Sequence, residues 1–242
     1  MAGLKKYFDY APRRASYLTH VSRRHDAVFV EVPKAGCSVV KRVMQYSEHG
    51  GRPHEEPASV HDRSTPPLGA PLRDKFDPDE LYGEPSRYFR FAFVRNPYSR
   101  ALSCYLEKVA GVQWLRDMRL PMLGFEPDAE VTFAQFLRRV AEQDPADMDI
   151  HWAPQQFLLS FGRIRYGFLG RFESFHQDLL AVVEHLGMTV PEDLLRRRTA
   201  HTTNARAKLR HYYDDECVAL VREIYRLDFE TLGYGYELGF AG

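Results

Sequence analysis

Cysteine and tryptophan are scarce in this chain, at three and two in 242 residues. Cys37, Cys104 and Cys217 lie far apart, and none has a second cysteine or a histidine at a metal-ligand spacing. That excludes a disulfide framework and a cysteine-based zinc site, and it reads as a reduced, cytoplasmic protein. Net charge is missing too: 33 Lys and Arg balance 33 Asp and Glu. Without an excess of positive charge the chain is not a general nucleic-acid binder, although a local cationic cleft is compatible with it. No stretch approaches about 18 uninterrupted apolar residues, so no integral membrane segment is expected and only peripheral membrane contact stays open. The basic N-terminus, MAGLKKYFDYAPRR, has no apolar run behind it of the kind a signal peptide carries.

What is present suits a folded enzyme-sized domain. Hydrophobic residues at 44% and aromatics at 13% supply a core. The length fits one α/β domain over residues 1–242, with a proline-rich insertion at about 48–87. Within that insertion Pro53, Pro57, Pro66, Pro67 and Pro71 interrupt any regular pattern, and such a segment is a functional loop or a linker.

The run Asp26–Val32 reads as a buried strand, followed by the turn Pro33–Ser38 and a helix from Val39 to Ser47. That helix has Val39, Val40, Val43 and Met44 on one side and Lys41, Arg42 and Gln45 on the other. A second strand, Tyr88–Val94, runs into Arg95-Asn96-Pro97 and a helix to about Val109, with proline at its first turn. Further helices are expected at Thr132–Gln143, His151–Ser160, Ser174–Leu186 and Asp214–Leu227, and a third strand at Tyr166–Phe172. Alternating strands and helices predict a three-layer α/β fold with a central, mainly parallel sheet flanked by helices.

Two strand-to-helix junctions carry the chemistry. At the first, Lys34, Ala35, Gly36, Cys37 and Ser38 sit where helix N–H groups and the helix dipole favour an anion. Small residues let the backbone wrap a phosphate, Ser38 adds a hydroxyl and Lys34 a cation. The loop is not a triphosphate loop, because Gly-x-x-x-x-Gly-Lys-Ser/Thr is incomplete and the lysine precedes the turn. At the second junction Arg95 ends the strand, while Arg100 and Ser103 are three apart on one helix face and suited to converge on one phosphate. The run from Arg196 through Arg206 to Arg210 is a solvated face or a segment that closes over an anion.

These blocks resemble the PAPS-dependent carbohydrate sulfotransferases, the group of chondroitin, dermatan and glucuronyl enzymes. The likeness rests on Val32–Arg42 and Phe93–Tyr105, supported by His151–Gln155, Phe168–Glu173 with Asp178, and Ile224–Phe229 with Tyr234. It implies a P-loop-NTPase-like fold and 3′-phosphoadenosine 5′-phosphosulfate (PAPS) as cofactor, leaving 3′,5′-ADP. The 34–38 loop would hold the 5′-phosphosulfate, with Lys34 near the bridging oxygen, and Arg95 and Ser103 would bind the 3′-phosphate. His61 is expected as general base, with His54 as the alternative. His151, Gln155, Glu173, Arg100 and Arg206 are expected near the acceptor or behind the site. Two departures stand out. Relatives often carry Thr near Ser38 and an aromatic where this chain has Val40, and the family's membrane anchor is not seen, so the Golgi setting of its eukaryotic members is not carried over.

The implied reaction moves a sulfuryl group to a hydroxyl by in-line displacement, with Lys34 stabilising the leaving oxygen. A carbohydrate, a glycolipid or a small hydroxylated molecule would be the acceptor, read by residues 48–87, 110–131 and 196–210. Two other readings compete. One is an ATP-dependent P-loop-like kinase, opposed by the incomplete loop motif and the lack of a magnesium-binding Asp after a strand. The other is a non-catalytic nucleotide-binding module.

Overall fold

Four short strands pair into one sheet: β1 (Thr19–Ser22), β2 (Ala27–Val30), β3 (Phe89–Val94) and β4 (Phe168–Arg171). They belong to a computed structural model that describes residues 2–52, 60–62, 67–196 and 205–238. The sheet order is β1-β2-β3-β4. β2, β3 and β4 run parallel, with Phe29 opposite Phe91 and Val94 opposite Arg171, while β1 is antiparallel to β2. β2 and β3 read as near-continuous apolar runs because they are buried along almost their whole length. β1 has no apolar pattern to find. Its Thr19, His20 and Ser22 are buried polar residues, each satisfied by a side chain: Tyr82, Glu31 and Glu48 in turn.

In chain order the first helices are α1 (Pro12–Leu18), α2 (Cys37–Glu48), α3 (Pro78–Tyr82), α4 (Pro97–Lys108), α5 (Gln113–Arg119) and α6 (Phe133–Ala141). They are followed by α7 (Gln155–Leu158), α8 (Phe175–His185), α9 (Glu192–Arg196), α10 (Ala205–Tyr212), α11 (Asp215–Ile224) and α12 (Arg226–Leu232). The chain divides into two compact units. The first, Met1–Val94 with Leu158–Thr199, contains the sheet. Its core is built on aromatics, with Phe29 stacked on Phe91 at 5.2 Å and Phe93 against Phe175 of α8 at 5.0 Å. The second, Arg95–Phe157 with Ala200–Gly242, is helical among its described residues and packs Tyr98, Tyr105, Phe133, Phe136, Trp152 and Phe229 inside.

Most expected elements form, and the exceptions have local causes. α6 starts where a capping box predicts: Thr132 accepts from Gln135 N–H, and the Gln135 side chain reaches back to Thr132 N–H. The helix expected over 151–160 shrinks to α7. Pro154 disfavours helical backbone before it, and Asp228 accepts the N–H groups of Gln155 (2.9 Å) and Gln156 (2.8 Å) instead. The helix expected over 214–227 becomes α11 and α12, broken at Tyr225, whose hydroxyl donates to Trp152 O at 2.9 Å. Inside the proline-rich insertion α3 forms because Asp77 caps it and Pro78 occupies its first turn.

Candidate active site

Between β2 and α2 the chain turns through Lys34 and Gly36, both in left-handed backbone, with φ of 73° and 88°. Gly36 adopts this freely, whereas Lys34 does so at a cost of roughly 1–3 kcal/mol, a strain that marks functional loops. Gly36 is constrained twice, since a Cβ there would lie 2.4 Å from the ring of Phe175. Gly36→Ala is therefore expected to destabilise the fold by about 2–3 kcal/mol. A urea midpoint equal to wild type would refute that.

The first turn of α2 leads into a chain of polar contacts. Ser38 Oγ lies 3.3 Å from His61 Nε2, and His61 Nδ1 lies 2.9 Å from Lys41 Nζ. Lys41 donates to Glu31 Oε2 at 2.8 Å, and the same oxygen accepts from His20 Nε2 at 2.7 Å. His20, Glu31 and Lys41 are each at most 2% exposed, while His61 is at the surface. Burial pushes the Glu31 carboxyl up, but Lys41 and then His20 outweigh it and hold Glu31 well below the usual carboxylate range. Burial, with Glu31 behind it, raises the Cys37 thiol to about 11, so it stays protonated. The helix pattern sets Lys41 and Gln45 on the side opposite the valines, and both are buried. One signal for this network was legible: a lone acid inside Val-Phe-Val-Glu-Val needs a buried partner.

At the second junction the Gln155 amide pairs with the backbone of Arg95. Arg95 N–H donates to Gln155 Oε1 at 2.8 Å, and Gln155 Nε2 donates to Arg95 O at 2.7 Å. The Arg95 side chain is buried, and its Nε donates to Ser99 Oγ at 2.9 Å. Asn96 caps α4 by accepting from Tyr98 and Ser99 N–H. Ser103 is buried on α4. Arg100 lies three residues earlier on the same helix. Its guanidinium is 1% exposed and donates to the carbonyls of Ala153 (2.9 Å) and Ile150 (3.3 Å), tying α4 to the 150–153 turn.

His151 forms a dyad with Asp149, at 2.5 Å from Nδ1 to Oδ1, and Arg119 holds the other carboxylate oxygen at 2.8 Å. Burial raises the Asp149 carboxyl, but His151 leads the groups that bring it down to about 2. Burial also lowers His151, more than Asp149 raises it, so the ring is neutral with Nδ1–H on the carboxylate and its lone pair on Nε2. Glu173 is exposed in the single turn after β4. His54, the side chain of Arg206 and residues 197–204 of the basic run lie outside the described residues. Among the described residues no group of three or more His, Cys, Asp or Glu is arranged to hold a metal.

The sequence profile of the Sulfotransferase family matches residues 18–235. Carbohydrate sulfotransferase 14 from Homo sapiens is 30% identical over 92% of this chain and 62% of its own length. The Danio rerio protein of that name is 26% identical over 92% of this chain and 64% of its own, and Homo sapiens carbohydrate sulfotransferase 8 is 30% identical over 98% and 60%. The chain thus spans about three-fifths of the length of the curated relatives it matches. No solved structure matches it significantly. The cytoplasmic location expected above is overturned by these relatives, carbohydrate sulfotransferases that reside in Golgi membranes. No helix among the described residues is long and apolar enough to cross a membrane. A match along nearly all its length, together with a mostly parallel sheet, places this chain in the sulfotransferase family, whose fold is the P-loop-like α/β architecture.

Proposed function

We propose that this chain transfers a sulfuryl group from 3′-phosphoadenosine 5′-phosphosulfate to a hydroxyl of a carbohydrate or glycoconjugate. The observation that carries the reading is the loop itself, a left-handed Lys34 and Gly36 feeding the N-terminus of α2. Lys34, Ser38, His61 and the first N–H groups of α2 make a set of donors with one cation at its mouth, which fits the oxygens of a phosphosulfate. When bound, the cofactor supplies an activated sulfur, whose bond to a phosphate oxygen breaks as the acceptor oxygen bonds to it.

Lys34 places positive charge beside the oxygen that leaves, where preorganised charge lowers a barrier most. Ser38 and the loop N–H groups hold the 5′-phosphate. Arg95 and Ser103 take the 3′-phosphate, the group that distinguishes this donor from ATP. Gln155 grips both backbone polar groups of Arg95 and so fixes where its side chain starts. The acceptor's proton passes to an imidazole or a carboxylate. Carbohydrate is favoured because the named relatives are carbohydrate sulfotransferases. The zero net charge favours a neutral or lightly charged glycan over a heavily sulfated polymer, which long-range attraction would have to capture.

Calorimetry tests the reading without knowledge of the acceptor. 3′,5′-ADP should bind with a dissociation constant of about a micromolar or below in the absence of magnesium, and ATP at least about tenfold more weakly. Arg95→Ala should weaken 3′,5′-ADP by about 10–100-fold and leave 5′-AMP nearly unchanged. A preference for ATP would sink the proposal, and equal weakening of both nucleotides would remove Arg95 from the 3′-phosphate.

A further inference from the structure

The contacts around His61 fix which of its nitrogens carries the proton. Lys41 Nζ lies 2.9 Å from His61 Nδ1, and an ammonium can only donate. Lys41 is an ammonium. Burial works to lower its pKa, but the Glu31 carboxylate at 2.8 Å leads the groups that together hold it above the ordinary lysine value. Nδ1 is therefore the lone-pair nitrogen, and the neutral ring carries its proton on Nε2. That N–H faces Ser38 Oγ at 3.3 Å, on the first turn of α2. A general base needs the opposite form, with Nδ1–H on an acceptor and the lone pair on Nε2, as His151 has with Asp149. Turning His61 into that form would set its Nδ1–H against the ammonium of Lys41.

We propose that His61 is a neutral hydrogen-bond donor to the oxyanion held by the 34–38 loop, and that Lys41, anchored by Glu31 and His20, is the positioning residue that sets its tautomer. The proposal rests on the reading of that loop as the phosphosulfate site. It assigns a role to a buried acid–base chain that sulfuryl transfer alone does not require. A neutral donor adds a hydrogen bond at the loop without adding a second cation beside Lys34. It also removes His61 from the base role, so the proton of the acceptor hydroxyl goes to another group.

Long-range proton–nitrogen NMR on the full chain labelled with ¹⁵N-histidine reads the tautomer directly. The His61 signals are identified by their loss in His61→Gln. Wild type should show a protonated Nε2 and an unprotonated Nδ1; Lys41→Met should give a mixture of tautomers, and Lys41→Arg should restore the wild-type pattern. A wild-type ring protonated on Nδ1 alone would overturn the proposal, whether or not either Lys41 variant folds. Calorimetry with inorganic sulfate supplies the second readout. Glutamine repeats the acceptor and donor of this tautomer but has no basic nitrogen, so His61→Gln should bind sulfate within about threefold of wild type. His61→Ala should bind about tenfold or more weakly, the usual loss of a hydrogen bond to an anion. Glutamine as poor as alanine would refute a donor role. If this pattern appears with sulfate while 3′,5′-ADP fails to bind, the proposed function falls and the tautomer assignment stands.

Discussion

Lys34→Ala is expected to slow sulfate transfer by about 10²–10³-fold, the usual loss when a preorganised group facing a developing oxyanion is removed. Binding of 3′,5′-ADP should weaken by only about tenfold, because the loop N–H groups and Ser38 still hold the phosphate. The two measurements separate charge from scaffold. The first is an assay of ³⁵S-labelled cofactor with a panel of glycans; the second is calorimetry. Lys34 also has left-handed backbone, at φ 73°, so its replacement changes strain as well as charge. Lys34→Gly isolates the charge, because glycine adopts that conformation without penalty. It should be as inactive as Lys34→Ala while its urea midpoint stays at or above wild type. Transfer at the wild-type rate in either variant would refute the assignment of Lys34 to the leaving oxygen.

Glu31→Ala should destabilise the fold by about 3–5 kcal/mol, since it strands the buried Lys41 ammonium and leaves His20 without its carboxylate. Replacing both members of the pair, Glu31→Gln with Lys41→Met, should cost much less, because no unpaired charge then remains inside. The pH dependence follows from the two shifts. Glu31 is held below its ordinary value, so its contribution is complete above about pH 5 and drains away as pH falls below the unfolded carboxylate's pKa. Lys41 is held above its ordinary value, so its share is complete below about pH 10 and is lost as pH rises past that. Stability should therefore be nearly flat from about pH 7 to 8 and fall in acid, first as the buried His151 ring must charge and then as Glu31 is protonated, with a shallower carboxylate limb in the double variant. Urea unfolding across that range measures it. An equally steep acid limb in wild type and double variant would show that other carboxyls dominate.

Sequence patterns were most reliable where one force decided the outcome. β2 and β3 were legible because strands buried on both faces are mostly apolar, and α4 and α6 because Pro97 and Thr132 mark helix starts by local chemistry. The anion loop was equally legible, since a strand end, small residues and a helix start lie within a few positions. β1 was not, because its buried residues are polar and their partners are distant in sequence. The same limit applied to single side chains. Spacing put Arg100 on a face with Ser103, yet its long guanidinium reaches the carbonyls of residues 150 and 153. Spacing put Lys41 on the side opposite the valines, yet Glu31, just past the end of β2, holds it inside. The sequence by itself determined the α/β order, the sulfotransferase resemblance and the place of Lys34 at the loop, since these depend on residues close along the chain. Only the tertiary structure decided that a buried Glu31–Lys41 pair stands behind His61 and sets its proton, because a tautomer depends on which groups lie within hydrogen-bond distance in space.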